Sequence, residues 1–243
     1  MKVKDYIHDR LGRGPLHMTL LDPAKQEPEE AAELSAMAKG LGTDAIMVGG
    51  STDVTQENLD ATVKAIKRIC DLPTIYFPSG AHAISRHCDA IYFMSMLNSR
   101  SIKHVIGEQV AGAPIVKMLG LEPISMGYII VAPGMKVGEV GQAEVVKRDD
   151  LKGACAYALA AEYMGMQLVY LEAGSGAPEP VPLEMVTSVK KAISVPLVVG
   201  GGIRNGEQAL ALKKAGADII VTGTIVENCD PVCLAEIIKA IKT

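Results

Sequence analysis

A TIM-type (β/α)8 barrel, an α/β fold, is the architecture this sequence predicts. Short runs rich in Val, Ile and Leu alternate with amphipathic stretches, the pattern of parallel strands buried on both faces and joined by crossover helices. Eight such runs can be counted along the chain. Three of them, in the last third, end in glycine and hydroxyl residues: LVYLEAGSGAPEPVP from Leu168, VPLVVGGGIRNGEQA from Val195 and DIIVTGTIVEN from Asp218. The length of 243 residues fits one barrel of about 250 residues, so a single domain over 1–243 is expected. A doubly wound sheet is the main alternative, but its glycine-rich turn belongs after the first strand rather than at units six to eight.

In chain order, strands are expected at 17–22, 45–49, 74–77, 90–97, 124–131, 168–171, 197–200 and 219–222. Helices are expected at 29–41, 56–70, 102–118, 151–164, 183–193, 206–215 and 232–241. The leading segment has helical spacing at Tyr6, Ile7 and Leu11 and is expected to cap the N-terminal end of the barrel. Between the third and fourth strands only PSGAHAISRHCD intervenes, too short for a three-turn amphipathic helix, so that helix is expected to be replaced by a loop. After the fifth strand, VAPGMKVGEVGQAEVVKRDD is long enough to be either a functional lid or a short packing element.

Composition excludes several classes. A net charge of -4 offers no clustered basic surface for duplex nucleic acid. No apolar run approaches the roughly 20 residues needed to span a bilayer, and the start lacks the apolar core of a signal peptide. A cytoplasmic protein without an integral membrane segment is therefore expected. Cys70, Cys88, Cys155, Cys229 and Cys233 form no CxxC pair and read as small buried thiols. His82 and His87 lack metal-ligand spacing, and no zinc site is expected.

The glycine-ended strands carry the chemistry. Gly200, Gly201 and Gly202 precede a helix opened by Arg204 and Asn205, and Gly223 and Thr224 follow the eighth strand. Backbone N–H groups in such turns hold phosphate, and barrels often place that site after strands seven and eight. In strand periodicity Tyr170 and Glu172 share one face and reach the barrel mouth. A carboxylate there accepts hydrogen bonds from substrate hydroxyls, acts as a general base, or pairs with a cation such as Arg204. Asp22 and Ser51 end the first two strands; one carboxylate and one hydroxyl suit the partial protein shell of magnesium, whose remaining positions go to phosphates and water. Lys25, just beyond, either meets phosphate oxygens or is solvated. Met94, Met96 and Met126, with Tyr92 and Tyr128, either line a channel for an extended hydrocarbon or fill the core.

With these segments assembled, the chain resembles the geranylgeranylglyceryl phosphate synthases, prenyltransferases of archaeal ether-lipid synthesis whose bacterial relatives, the heptaprenylglyceryl phosphate synthases, use a longer prenyl chain. The carriers are HMTLLDPAK, IMVGGSTDVT, PTIYFPSGAHAIS, YLEAGSGAPEPVP, VPLVVGGGIR and IIVTGTIVE, spanning His17 to Asn228. The resemblance implies Mg2+ at Asp22 and Ser51. It implies sn-glycerol 1-phosphate at Tyr170, Leu171, Glu172, Ala173, Gly174, Ser175, Gly176, Gly201, Gly202, Gly223 and Thr224. It further implies geranylgeranyl diphosphate as donor. On physical grounds Glu172 and Tyr170 are expected to be catalytic, the first taking the hydroxyl proton and the second positioning it or facing the developing cation. A homo-oligomer is expected, although the family includes more than one assembly. The phosphate turns alone would equally suit a phosphosugar isomerase or lyase, or a non-catalytic phosphometabolite-binding barrel.

Overall fold

Strands β1 (Leu16–Leu21), β2 (Ala45–Val48), β3 (Thr74–Tyr76), β4 (Ala90–Met96), β5 (Glu122–Ile130), β6 (Leu168–Glu172), β7 (Leu197–Gly200) and β8 (Ile219–Thr222) pair in parallel and in chain order. The last ladder sets Leu16 opposite Ile219 and Thr19 opposite Thr222, which closes the barrel and leaves no free sheet edge. The structure, a computed structural model, describes residues 1–227 and 230–243. Cys229, expected to be a buried thiol, and Asn228 lie outside the described residues.

The alternation of side chains along each strand builds two separate cores. Inward residues such as Met18, Met47, Tyr92, Met126, Tyr128, Tyr170, Val198 and Ile219 fill the barrel interior. Outward residues pack against the helices: Ile46, Val48 and Ile91 on one side, Val169, Leu171, Val199 and Ile220 on the other. Met126 therefore belongs to the core, whereas Met94 and Met96 reach the cavity described below.

The helices are α1 (Val3–Leu11), α2 (Pro28–Leu41), α3 (Gln56–Ile69), α4 (Glu108–Leu119), α5 (Met135–Val140), α6 (Leu151–Tyr163), α7 (Leu183–Ala192), α8 (Gly206–Ala215), α9 (Thr224–Glu227) and α10 (Pro231–Lys242). Local chemistry sets their ends. Pro28 starts α2 and a left-handed Gly42 stops it, Thr55 and Asn58 form a capping box on α3, and Asn205 caps α8. Among the described residues none of 77–89 is helical, as the short third connection requires. The expected helix at 102–118 is instead a π-helical turn, Lys103–Gly107, running into α4. Wider π turns admit an extra residue and rotate the face that follows, which aims His104, Glu108 and Gln109 at the cavity. The long segment after β5 forms α5 and two isolated bridges, Ser99 to Ala143 and Val131 to Val146, so it packs while its Val137, Val140 and Gly141 line the cavity. Cys70 and Cys88 are buried; Cys155 and Cys233 are only partly so.

The N-terminal end of the barrel is closed by α1. Val3 and Ile7 join the interior cluster, and the Val3 and Lys4 N–H groups donate to the Glu122 carboxylate at 2.6 and 3.1 Å, a negative charge set on a helix N-terminus. Asp44, fully buried, ties this end together. Its carboxylate accepts from the His17 N–H at 2.9 Å and from Arg10 of α1 at 2.7 Å, and pairs with Lys242 of α10. The His17 imidazole is sealed between the Thr43 and Thr222 hydroxyls at 2.9 Å each, and burial drops its pKa to about 3. Removing a buried charge with half-exposed partners costs less than breaking a wholly buried pair. Asp44→Ala should lower stability by about 2 kcal/mol or more, a fall in Tm of roughly 4–8 °C for a chain of this size. A melting temperature unchanged in the variant would show that the knot contributes nothing.

Candidate active site

The carboxyl ends of the strands open into a cavity of about 520 Å³. Asp22 from β1, Ser51 after β2, Tyr128 from β5, Tyr170 and Glu172 from β6, Gly201 and Gly202 after β7, and Gly223 and Thr224 after β8 all line it. Residues separated by some 200 positions in sequence thus face one volume, because each ends or follows a neighbouring strand of one barrel.

Glu172 is 6% exposed at the end of β6. Its Oε1 accepts the Gly174 N–H at 2.7 Å, and the Tyr170 and Tyr128 hydroxyls lie close enough to the carboxylate to favour its charged form. Burial pushes its pKa up, and these three donors pull it partly back. The same burial, reinforced by the charge of Glu172, drives the Tyr170 and Tyr128 phenols well above their usual range. Both tyrosines are consequently donors at neutral pH, and the carboxylate is the basic member of the trio. Arg204 does not pair with Glu172; its guanidinium donates to the Ala177 carbonyl at 3.1 Å.

Close approach explains the glycines of β7. A Cβ on Gly200 would overlap the Tyr170 hydroxyl, and one on Gly201 would overlap the Glu172 carboxylate. Gly201 also sits at φ 85°, which side chains rarely adopt. On the far side of the glycines, the Ser175 and Thr224 hydroxyls lie 3.0 Å apart and join the β6 and β8 turns.

Within the run 170–176, not every side chain lines the cavity. The Leu171 and Ala173 side chains lie in the layer between barrel and helices, and the Ala173 N–H is used by the Gly200 carbonyl. Strand alternation turns them away from the mouth just as it turns Tyr170 and Glu172 toward it. The Gly174 N–H is taken by Glu172. Tyr170, Glu172, Ser175 and Gly176 remain in the lining.

Asp22 lies against Gly50, where a Cβ would overlap its carboxylate. Its Oδ1 accepts the Ala24 N–H at 3.0 Å, and burial raises its pKa. Lys25 Nζ stands 3.8 Å from Asp22 Oδ2. Among the described residues no group of three His, Cys, Asp or Glu side chains gathers anywhere. One carboxylate beside a serine on the cavity wall fits a hard cation completed by phosphates and water rather than a cation caged by protein alone.

The opposite wall is apolar. Phe77 packs against Tyr92, Tyr128 and Tyr170 with centroids 6.1, 5.5 and 5.9 Å apart. Beyond them lie Phe93, Met94, Met96, Val116, Val137 and Val140. Sequence reasoning missed three things here: Tyr128 as a partner of Glu172, Phe77 as the centre of the aromatic cluster, and Glu108 with Gln109 in the wall. The signal for Tyr128 was its inward parity on β5, in register with Tyr170; none pointed to Glu108, which the π turn delivers.

The model of the PcrB family matches residues 5–242. The chain belongs to the PcrB family. It is 56% identical over 231 residues to the geranylgeranylglyceryl phosphate synthase of Thermococcus kodakarensis, covering 95% of this chain and 92% of that one. It is 54% identical to the protein of the same name from Methanothermobacter marburgensis, over 94% and 93% of the two chains. Among solved structures, the (S)-3-O-geranylgeranylglyceryl phosphate synthase of Thermoplasma acidophilum, in complex with substrate sn-glycerol-1-phosphate, superposes with a TM-score of 0.97 at 47% identity, over 100% of this chain and 99% of that one. A thiamine phosphate pyrophosphorylase from Pyrococcus furiosus, 17% identical with a TM-score of 0.60 over 95% and 97% of the two chains, shares the fold alone. Within this PcrB-family barrel no helix of the described residues is long and apolar enough to cross a membrane.

The raised pKa of Glu172 has a consequence for stability. Unfolded, the group titrates near 4.5; folded, it titrates higher. It favours the native state most below the unfolded value, and this contribution is lost as pH rises through the folded value, where a charge must be buried. Glu172→Gln should therefore be more stable than the parent at neutral pH, with the gap closing as pH falls toward 4.5. Urea midpoints measured across that range test this, and a pH-independent difference would refute it.

Proposed function

We propose that the protein is a one-domain prenyltransferase that joins the 3-hydroxyl of sn-glycerol 1-phosphate to C1 of geranylgeranyl diphosphate. The observation that carries this reading is a single cavity with a glycine-lined polar end and an aromatic and apolar end, with Glu172 where they meet. The named activity of relatives above half identity supports the same reaction.

In this reading the turns at Gly201, Gly202, Gly223 and Thr224 hold the acceptor phosphate, with Ser175 and Gly176 closing over it. Fixing that end presents one hydroxyl to Glu172, whose buried carboxylate takes its proton as the new C–O bond forms. The C1–O bond to diphosphate breaks, and its electron pair leaves with the diphosphate. Tyr170, Tyr128 and Phe77 face the allylic carbon as positive charge develops, an arrangement that aromatic faces favour. Asp22 and Ser51 would hold Mg2+, which when bound neutralises charge on the leaving diphosphate. Met94, Met96, Val137 and Val140 enclose the hydrocarbon and exclude water.

A homo-oligomer is part of the proposal. It is supported by Ile102, Ile106, Val110 and Met118, large apolar side chains exposed along the outer side of α4 and its π turn. A solution mass well above 25.7 kDa would support it, and a mass at that value would refute it.

Purified protein supplied with both substrates and magnesium should yield the prenylglyceryl ether by mass; the absence of product from geranylgeranyl and longer donors alike would overturn the reading. Glu172→Gln should lower turnover by about 10²–10⁴-fold while glycerol phosphate binding changes far less. Near-parental turnover would remove Glu172 from the chemistry. Asp22→Ala should abolish magnesium-dependent turnover and weaken magnesium-dependent diphosphate binding, and full retention of both would refute the metal assignment.

A further inference from the structure

We propose that Lys25 is a binding residue for the diphosphate of the prenyl donor, held in position by Glu227. This deepens the prenyl-transfer reading and rests on it. Lys25 lines the cavity beside Asp22, the residue that ends β1. Its own N–H donates to the Asp22 carbonyl at 3.0 Å, so one turn locks the two residues together.

The side chain reaches across to the far end of α9. Its Nζ donates to Glu227 Oε1 at 3.2 Å and to Oε2 at 3.0 Å. An ammonium has three donors and no acceptor. Two are engaged by Glu227, and Asp22 Oδ2 at 3.8 Å is beyond hydrogen-bond reach, which leaves one donor for the cavity. The Lys25 side chain is 50% exposed and that of Glu227 only 14%, so the carboxylate is the fixed partner and the ammonium the accessible one.

Electrostatics explains why a cation belongs there. Asp22 and Glu227 bring two carboxylates to the volume that a multiply charged anion must enter; Mg2+ at Asp22 would offset the first, and Lys25 offsets the second. Arg204, a second cation in the cavity lining, is anchored through Nη2 to the Ala177 carbonyl beside the glycine turns and, among the described residues, keeps its other donors free for an anion there. An ion pair with a half-exposed member adds little to stability, so folding alone does not account for Lys25. Because Glu227 lies three residues beyond Thr224, the pair also braces the strand-eight turn against the end of β1.

The test is calorimetric titration of the intact protein with inorganic diphosphate in magnesium, and separately with sn-glycerol 1-phosphate, for the parent, Lys25→Met and Lys25→Arg. Lys25→Met should weaken diphosphate binding by about ten- to a hundredfold, the effect of losing a hydrogen bond between charged groups. Lys25→Arg should stay within about threefold of the parent, since the charge persists. Glycerol phosphate affinity should hold in both variants, and Lys25→Met should raise KM for the prenyl donor. Unchanged diphosphate affinity in Lys25→Met would overturn the assignment, as would an equal loss of both ligands, which would mark Lys25 as a brace for the fold. If the parent makes no prenyl ether, the prenyl-transfer reading falls and this inference with it. If the parent makes the ether but Lys25→Met binds diphosphate equally well, only the role of Lys25 falls.

Discussion

Glu172 places a carboxylate where almost no water reaches, and that one group dictates much of what surrounds it. An unpaired buried charge is costly unless donors replace its hydration. The Gly174 N–H replaces it here, and the nearby Tyr170 and Tyr128 hydroxyls, from the same strand and from its neighbour, further favour the charged form. Those donors must come close, so the facing positions on β7 have no room for a side chain.

The barrel sets the second constraint by dividing the mouth. Strands β6 to β8 contribute short polar turns, whereas β3 to β5 contribute aromatic and thioether side chains. With no regular helix after β3, and a π turn after β4, that side is free to form a long apolar wall. Asp22 and Ser51 stand between these halves at the ends of β1 and β2. A substrate pair with one small phosphorylated partner and one long hydrocarbon partner matches this division. A phosphosugar isomerase would have no use for the apolar side.

Much of this was legible in the residues. Strand parity alone put Tyr170 and Glu172 on one face, and glycine at strand ends marked turns that line the cavity. The missing third helix followed from a linker too short to hold one. Parity read more strictly would also have turned the Leu171 and Ala173 side chains to the outer layer, since alternate residues of a barrel strand face it. The structure departs from the continuous helix expected at 102–118 by a π turn, which leaves the apolar spacing almost intact while adding one residue to the turn.

What the sequence by itself determined was the set of elements and their facing, because strand and helix periods are local properties of the chain. It also determined the chemical type of each strand end. The tertiary structure alone decided which ends meet. Tyr128 reaches Glu172 through the β5–β6 register, and Lys25 reaches Glu227 across some 200 residues because closure sets β8 beside β1. Such contacts depend on register and closure, which are sums over the whole barrel. No single stretch of sequence encodes them.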